Sequence, residues 1–501
     1  MLGGQVDAKT VDVFGRLAKQ GAMIERLASD SRRCAPGVAF FAYPGEAADG
    51  RRYIPDAIRH GAAAIVWEAQ DFAWNSAWRV PNVGLSGLKR RAGELAHEFY
   101  GRPSASMWVC GVTGTNGKTS CTQWLAALLA AEGVRTGVIG TLGSGFPEAL
   151  AALGNTTPDA LELHRVLAEL KRKGAAAAAL EVSSHGLAQG RVNGVAFDCA
   201  LFTNLSHDHL DYHGSMDAYG AAKAALFDMP GLQSAVLNLD DLLGVQLARR
   251  LAARGQRTIG YALSLSALAP GVVADFVAAR SVSADDEGMK ISLASSWGDA
   301  QVRVNQLGCF NASNALGVLG CLLAYGVAFE RAVALLGSLP LVSGRMQRIA
   351  RAGKPLVVVD YAHTPDALEK VLQALRPVAA ARGGALVAVF GAGGDRDPTK
   401  RPLMGEIASR LADRLVLTSD NPRREDPQAI LAAIRAGVAG AHELEPDRAA
   451  AIAGAIGRAS AADVILLAGK GHERHQEIAG ERRPFSDVAA AESALARWSA
   501  P

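Results

Sequence analysis

An all-apolar strand that feeds a glycine-rich turn and then a helix limits a chain to very few architectures. Here Trp108–Val112 runs into Thr113-Gly-Thr-Asn-Gly-Lys-Thr119, and helical spacing follows to about Glu132. A strand apolar on both faces must be covered on both, so the expected fold is a parallel sheet wrapped by crossover helices. The same alternation returns further on. Leu356–Asp360, Leu386–Phe390, Arg414–Thr418 and Val464–Ala468 read as buried strands, separated by helical spacing at Pro365–Arg376, Arg401–Ala412 and Pro427–Ala439. With 501 residues the chain exceeds one hydrophobic core. Breaks at Tyr100-Gly-Arg-Pro-Ser104 and Leu341-Val-Ser-Gly-Arg345 divide it into three α/β domains, 1–102, 103–340 and 341–501.

Composition removes several classes. Hydrophobic residues make up 49% and charged residues 20%, as in folded soluble domains rather than disordered ones. A net charge of +3 with no long Lys/Arg block argues against a nucleic-acid partner. The six cysteines form no CxxC pair, so reduced buried thiols are expected rather than disulfides or a zinc ribbon. Asp7, Lys9 and Asp12 interrupt any leader-like apolar segment. The longest apolar run, Ala315–Phe329, falls short of the about 20 residues a membrane span requires and reads as one buried helix. The expected compartment is the cytoplasm.

The turn itself is a phosphate loop. Glycines let successive backbone N–H groups face an anion, and the helix N-terminus adds partial positive charge. Gly114, Thr115, Asn116 and Gly117 form the cradle; Lys118 reaches the outer phosphates and Thr119 offers a hydroxyl to magnesium. It is not a strict Walker A, because one residue too many separates Gly111 from Gly117. A nucleotide loop alone does not name a reaction. The Ala-rich run Ala175–Leu180 reads as a second buried strand, which delivers Glu181-Val-Ser-Ser-His-Gly186 at its carboxyl end, where ligands sit in open α/β sheets.

Together, Gly114–Thr119, Glu181–His185, Asn204-Leu-Ser-His-Asp-His-Leu-Asp211, Asn311-Ala-Ser-Asn314, Ser343-Gly-Arg-Met346, Asp360-Tyr-Ala-His-Thr-Pro365, Gly393-Gly-Asp-Arg-Asp397, Asp420-Asn-Pro-Arg423 and Gly469-Lys-Gly-His-Glu473 resemble the Mur ligase family over nearly the whole chain. The resemblance implies an N-terminal UDP-binding domain, a central P-loop ATPase domain and a C-terminal Rossmann-like domain. It further implies an ATP- and Mg2+-dependent ligase that phosphorylates a carboxylate and lets an amine displace the phosphate. No protein nucleophile is needed for that, so catalysis rests on positioning and charge neutralisation.

Carried onto this sequence, the family's metal residues are Thr119, Glu181, His209 and a carbamylated Lys223, with Lys118, His209 and Lys223 in the catalytic set. An unmodified helix lysine is more often a solvated charge than a ligand. Asn311 either contacts adenine or caps the following helix. Arg345 and Asp360 resemble nucleotide contacts. Ser29, Ser31, Gly45, Glu46, Ala47, Asn155, Thr156, Thr157, Ser183, Gln189 and Arg191 match the side that holds UDP-MurNAc-L-Ala-D-Glu.

For the amine, a second carboxylate on the substrate calls for a guanidinium. Arg423 in Asp420-Asn421-Pro422-Arg423 supplies one, and this is the family's meso-diaminopimelate form of the motif. Arg396, Gly469 and Glu473 complete that set, with Glu473 suited to the distal ammonium. The alternative is that Arg423 merely pairs with Glu425 or Asp426. Small-molecule substrates and a monomer are expected, and the rival readings are a lysine-adding ligase, a folylpolyglutamate synthetase and a P-loop scaffold.

Overall fold

A computed structural model describes residues 12–46, 48–268, 271–285 and 288–500. Residues 1–11, with Asp7 and Lys9, and Ala47 lie outside them. The chain forms two compact units. One joins the residues up to Gly111 with Val134–Asp198 and Ala222–Leu232; the other holds Val112–Gly133, Cys199–Ala221 and everything from Gln233 onward.

In the first unit, strands Arg26–Ala28, Val38–Ala42, Ala64–Glu68 and Asn82–Leu85 lie side by side, all parallel. Their two faces are covered by separate apolar clusters, around Leu17, Phe41 and Leu95 on one and around Phe40, Ile54 and Ile65 on the other. Gly87, at the N-cap of the helix Leu88–Phe99, has no side chain to accept a hydrogen bond, and buried Glu68 accepts from the N–H groups of Gly87 (3.1 Å) and Leu88 (2.7 Å) instead. A second parallel pair, Thr136–Gly140 with Ala177–Glu181, continues into the antiparallel strands Gly143–Phe146 and Ala149–Ala151. The alanine run is thus a strand, as its apolar uniformity predicts.

Also in this unit, His164 on the helix Ala160–Arg172 is fully buried and donates Nε2–H to the Asn193 carbonyl at 2.9 Å. Burial, reinforced by neighbouring His97, pushes its pKa down from 6.5 to about 4. The folded state therefore holds His164 neutral where the unfolded chain would be protonated. Stability is complete above about pH 6.5 and is lost as the pH falls towards 4, by about 3 kcal/mol in all. Urea titrations across that window should show His164→Gln with a flatter pH slope than the unsubstituted protein; an unchanged slope would refute the assignment.

In the second unit, Cys199–Phe202, Ser234–Asn238, Arg257–Ala262 and Asp275–Asp285 are parallel, and Gly288–Ser295 and Gly298–Val304 add antiparallel strands. A further sheet runs in the order Gln347–Ile349, Leu356–Asp360, Val464–Ala468, Leu386–Phe390, Arg414–Leu417, Glu443–Leu444, parallel except for the first strand. Apolar clusters fill both of its faces. Its central strands end at Asp360, Phe390, Leu417 and Ala468, so the loops carrying the sequence motifs leave from one edge.

Several boundaries depart from the sequence reading. The helix starting at Pro365 runs to Arg382, through Pro377. One missing N–H costs it a single hydrogen bond, and buried Leu372, Leu375, Val378 and Ala379 hold the turn in place. The apolar run 315–329 is two helices: Cys309–Tyr325 stops at Gly326 (φ 109°), and Phe329–Leu336 begins anew. The helix from Pro427 ends at Arg435 rather than Ala439, because Gly437 crosses against the Pro402 backbone. Five cysteines are buried, but Cys309 is exposed. Among the described residues, no helix is long and apolar enough to cross a membrane.

Candidate active site

The strand Trp108–Thr113 delivers the phosphate loop, and the helix Lys118–Ala131 begins directly after it. Gly114 (φ 151°) and Gly117 (φ 88°) adopt backbone conformations that other residues avoid. A Cβ at Gly114 would stand 1.8 Å from Thr203 Oγ1, and one at Gly117 2.5 Å from Asn314 Oδ1. The loop is pinned from beneath. Thr115 N–H donates to Asn204 O at 2.8 Å, Asn116 N–H to Asn204 Oδ1 at 3.0 Å, and Thr203 Oγ1 to Asn116 O at 2.6 Å. Lys118 Nζ folds back onto the carbonyls of Gly114 (2.8 Å) and Thr115 (2.9 Å).

Arg345 reaches this loop, its Nη2 donating to Thr119 Oγ1 at 3.2 Å, while its guanidinium lies 4.7 Å from the Tyr361 ring centroid. Its Nε is buried with no hydrogen-bond partner among the described residues. A buried orphan N–H beside a backbone cradle fits an anionic ligand such as a nucleotide's phosphates. Asp360 engages backbone N–H groups instead. It is buried, and burial raises its pKa while its oxygens accept from the N–H groups of Met346 (2.7 Å) and Ala362 (2.8 Å). Its observed contacts organise the Arg345 turn. Asn311 is not a cap: Gly308 holds that position, and Asn311 Nδ2 donates to Leu307 O at 2.9 Å inside the first turn.

Glu181 ends its strand with both oxygens engaged by Thr141, Oε1 by the backbone N–H (2.9 Å) and Oε2 by the hydroxyl (3.0 Å). Thr141 Oγ1 also meets Thr156 Oγ1 at 3.0 Å. Thr157 Oγ1 donates to Glu181 O at 2.8 Å and Ser183 Oγ lies 3.1 Å away. Arg191 joins the same network through Thr157 O (2.7 Å) and Gln189 Oε1 (2.6 and 2.9 Å). Five sequence-read residues thus form one hydrogen-bonded cluster around Glu181, and Thr141 is the member that the sequence did not reveal. Ser29 hydrogen-bonds Tyr43, whose hydroxyl is pushed up to about 12 chiefly by burial, with Asp159 and Arg191 within electrostatic reach.

The remaining residues that the sequence assigns to the sugar side are less connected. Ser31 is buried in a short turn capped by Asp30, the Gly45 N–H donates to Ala48 O, and Glu46 pairs with Lys89. Among the described residues, Asn155 has no side-chain hydrogen bond or ion pair. His209 sits in a left-handed conformation (φ 53°), half exposed, its Nε2 3.5 Å from Asp208. Lys223 is 1% exposed. The solvated-charge alternative therefore fails for it, and a buried ammonium must be paired or chemically neutralised.

The third set of loops is the most tightly tied. Gly394 N–H donates to Asn421 O at 2.9 Å, and Arg423 Nη1 donates to Gly394 O at 2.6 Å. Glu425 accepts from Asp395 N–H and from Arg401, so it clips the same two loops together. Arg423 therefore does not pair with Glu425 or Asp426; its nearest acid is Glu477, at 3.5 Å. Asp395 (φ 50°) and Arg423 (φ 53°) are both strained non-glycine residues, of the kind that collects at functional sites. Arg396 is exposed, and a Cβ on Gly393 would lie 3.7 Å from its Cγ and 2.9 Å from Arg423 Nη1.

Asp420 is buried, which raises its pKa against the pull of Arg448 and Lys470. A Cβ on Gly469 would come within 2.6 Å of its Oδ2, so this approach requires glycine there. Glu473 is held below the ordinary carboxylate range: burial would raise it, but the Lys470 ammonium and the Asn421 amide prevail. Beneath these loops Arg448 and Asp487, both fully buried, form two bonds of 2.7 Å, and Arg448 also donates to Ala468 O at 3.0 Å.

Three segments match known family descriptions in order: Mur ligase family, catalytic domain, at residues 23–100; Mur ligase middle domain at 112–322; and Mur ligase, glutamate ligase domain, at 344–471. The UDP-N-acetylmuramoyl-L-alanyl-D-glutamate–2,6-diaminopimelate ligase of Chromobacterium violaceum is 49% identical over 96% of both chains. That of Pseudomonas aeruginosa is 50% identical over 97% of both. A solved structure of a ligase with the same name superposes with TM-score 0.67 at 35% identity, covering 94% of this chain and 95% of that one. The MurF ligase from Thermotoga maritima in complex with ADP shares the fold at 19% identity and TM-score 0.62, covering 90% of this chain and 95% of that one. With near-complete coverage at about half identity, the chain belongs to the Mur ligase family.

Proposed function

We propose that the protein joins meso-diaminopimelate to the D-glutamyl carboxylate of UDP-MurNAc-L-Ala-D-Glu, with ATP as the phosphoryl donor. The observation that carries this reading is the pair of loops Gly393–Asp397 and Asp420–Arg423, locked together with Arg423 at their junction. The substrate carboxylate attacks the γ-phosphorus and ADP leaves; the amine then attacks the acyl carbon, phosphate leaves and the ammonium proton is lost. Gly114–Thr119 and Arg345 bind and orient the phosphates, and Asp360 fixes the turn that carries Arg345.

Magnesium, when bound, neutralises phosphate charge, and hard oxygen donors suit it. Thr119, Glu181, His209 and a carbamylated Lys223 keep the metal roles that the family resemblance gives them. The cluster of Thr156, Thr157, Ser183, Gln189 and Arg191 serves the muramoyl-peptide, with Ser29, Ser31 and the Gly45–Glu46 turn at its nucleotide end. Asn311 takes the adenine role. The domain limits 1–102, 103–340 and 341–501, a cytoplasmic location and a monomeric state belong to the same proposal.

Phosphate release from ATP should require UDP-MurNAc-L-Ala-D-Glu together with diaminopimelate, and lysine should not replace it. Turnover with lysine but not diaminopimelate would overturn the amine assignment. No turnover with either would favour a nucleotide-binding scaffold.

A further inference from the structure

Lys470 follows the all-apolar strand Val464–Ala468 by two residues and is 0% exposed. A lysine so placed needs acceptors, and every one it has belongs to the amine end of the site. Its Nζ donates to Asn421 Oδ1 at 2.9 Å and to Glu473 Oε2 at 3.0 Å, and lies 3.8 Å from Asp420 Oδ1. The contacts extend outward from there. Asn421 Nδ2 donates to the same Glu473 oxygen at 2.7 Å, and Asn421 Oδ1 also accepts the Glu477 N–H at 2.9 Å. The Glu477 carbonyl in turn accepts the Arg423 N–H at 2.9 Å.

Two consequences follow from this wiring. Glu473 has Oε2 saturated by Lys470 and Asn421, while Oε1 has no partner among the described residues. The carboxylate is therefore aimed, with one oxygen left for a cation. Arg423 is aimed by the same network, since Asn421 and Glu477 fix the backbone on which its guanidinium sits, and its Nη2 has no partner among the described residues. A zwitterionic amino-acid end needs one acceptor for its ammonium and one guanidinium for its carboxylate, at a fixed separation. If Lys470 served only stability, a buried apolar side chain of similar length would do as well.

We propose that Lys470 is a positioning residue that sets the spacing of Glu473 and Arg423 and so governs capture of the distal ammonium and carboxylate of the incoming amino acid. The inference rests on the reading of Glu473 and Arg423 as the amine end. It is tested by steady-state kinetics of the full-length enzyme with diaminopimelate, comparing Lys470→Met, Glu473→Gln and the double variant. Lys470→Met should raise KM for diaminopimelate about tenfold or more, with kcat and KM for ATP changing by less than about threefold. The double variant should be no worse than the more affected single one, because Lys470 acts through Glu473.

A fall in kcat with every KM unchanged, or fully additive effects, would overturn the positioning role. If Glu473→Gln leaves KM for diaminopimelate unchanged, the amine-end reading itself fails; if Glu473→Gln raises it and Lys470→Met does not, only the present inference fails. Should Lys470→Met not fold, Lys470→Arg decides instead. It keeps the charge but displaces both acceptors, so a raised diaminopimelate KM supports the role and an unchanged one refutes it.

Discussion

Replacing Arg423 with alanine is expected to lower kcat/KM for diaminopimelate about a hundredfold or more, with KM for ATP within about twofold. The asymmetry follows from the contacts. Arg423 is tied to Gly394 O and faces Glu477, whereas the phosphate loop is pinned by Asn204 and Thr203 and touched by Arg345. Arg423→Lys should rescue little, because an ammonium cannot bind a carboxylate with two parallel bonds while also holding Gly394 O. Initial rates at varied diaminopimelate and varied ATP separate the two parameters. Equal losses in both would mean that Arg423 supports the nucleotide rather than the amine.

The second large effect is on stability. Asp487→Ala leaves the Arg448 guanidinium buried without its carboxylate, at a cost of about 3–5 kcal/mol. The urea midpoint should fall accordingly with little change in slope. A paired apolar replacement, Arg448→Met with Asp487→Leu, should recover much of that loss. It should not recover amine binding, because Arg448 also holds the carbonyl of Ala468 and approaches that of Ser419, next to the two motif loops. Full recovery of the diaminopimelate KM in the double replacement would limit the ion pair to a packing role.

What the sequence made legible was local. The strand, glycines and helix around Gly114–Thr119 are adjacent in the chain, and the uniform apolar runs at 356–360, 386–390 and 464–468 are strands at the residues read. Glu181 follows from the same logic, as the residue that a buried strand presents at its end. Partners that meet only in space were not legible. Thr141, Glu425 and Glu477 are ordinary polar residues whose roles come from the segments folded against them.

Lys470 escaped for a different reason: a lysine reads as a solvated charge by default. Its context carried the signal, since an apolar strand followed by Gly-Lys-Gly delivers the next side chain inward rather than to water. Asn311 is the converse case, where a cap is one of two readings that the sequence leaves open. Its residue type suits a helix cap, but the helix had already begun two residues earlier.

The segmentation of the two units also bears on how the protein is made. The first unit draws on chain up to Gly111, then Val134–Asp198, then Ala222–Leu232, and the second takes what lies between and after. Neither can therefore be finished in the order in which the ribosome extrudes it. The four parallel strands from Arg26 to Leu85 emerge early, but their unit lacks its last segment until residue 232 has left the exit tunnel. By then the phosphate loop has emerged too, so both cores are incomplete at once, and Arg345, which touches Thr119, is still to be made.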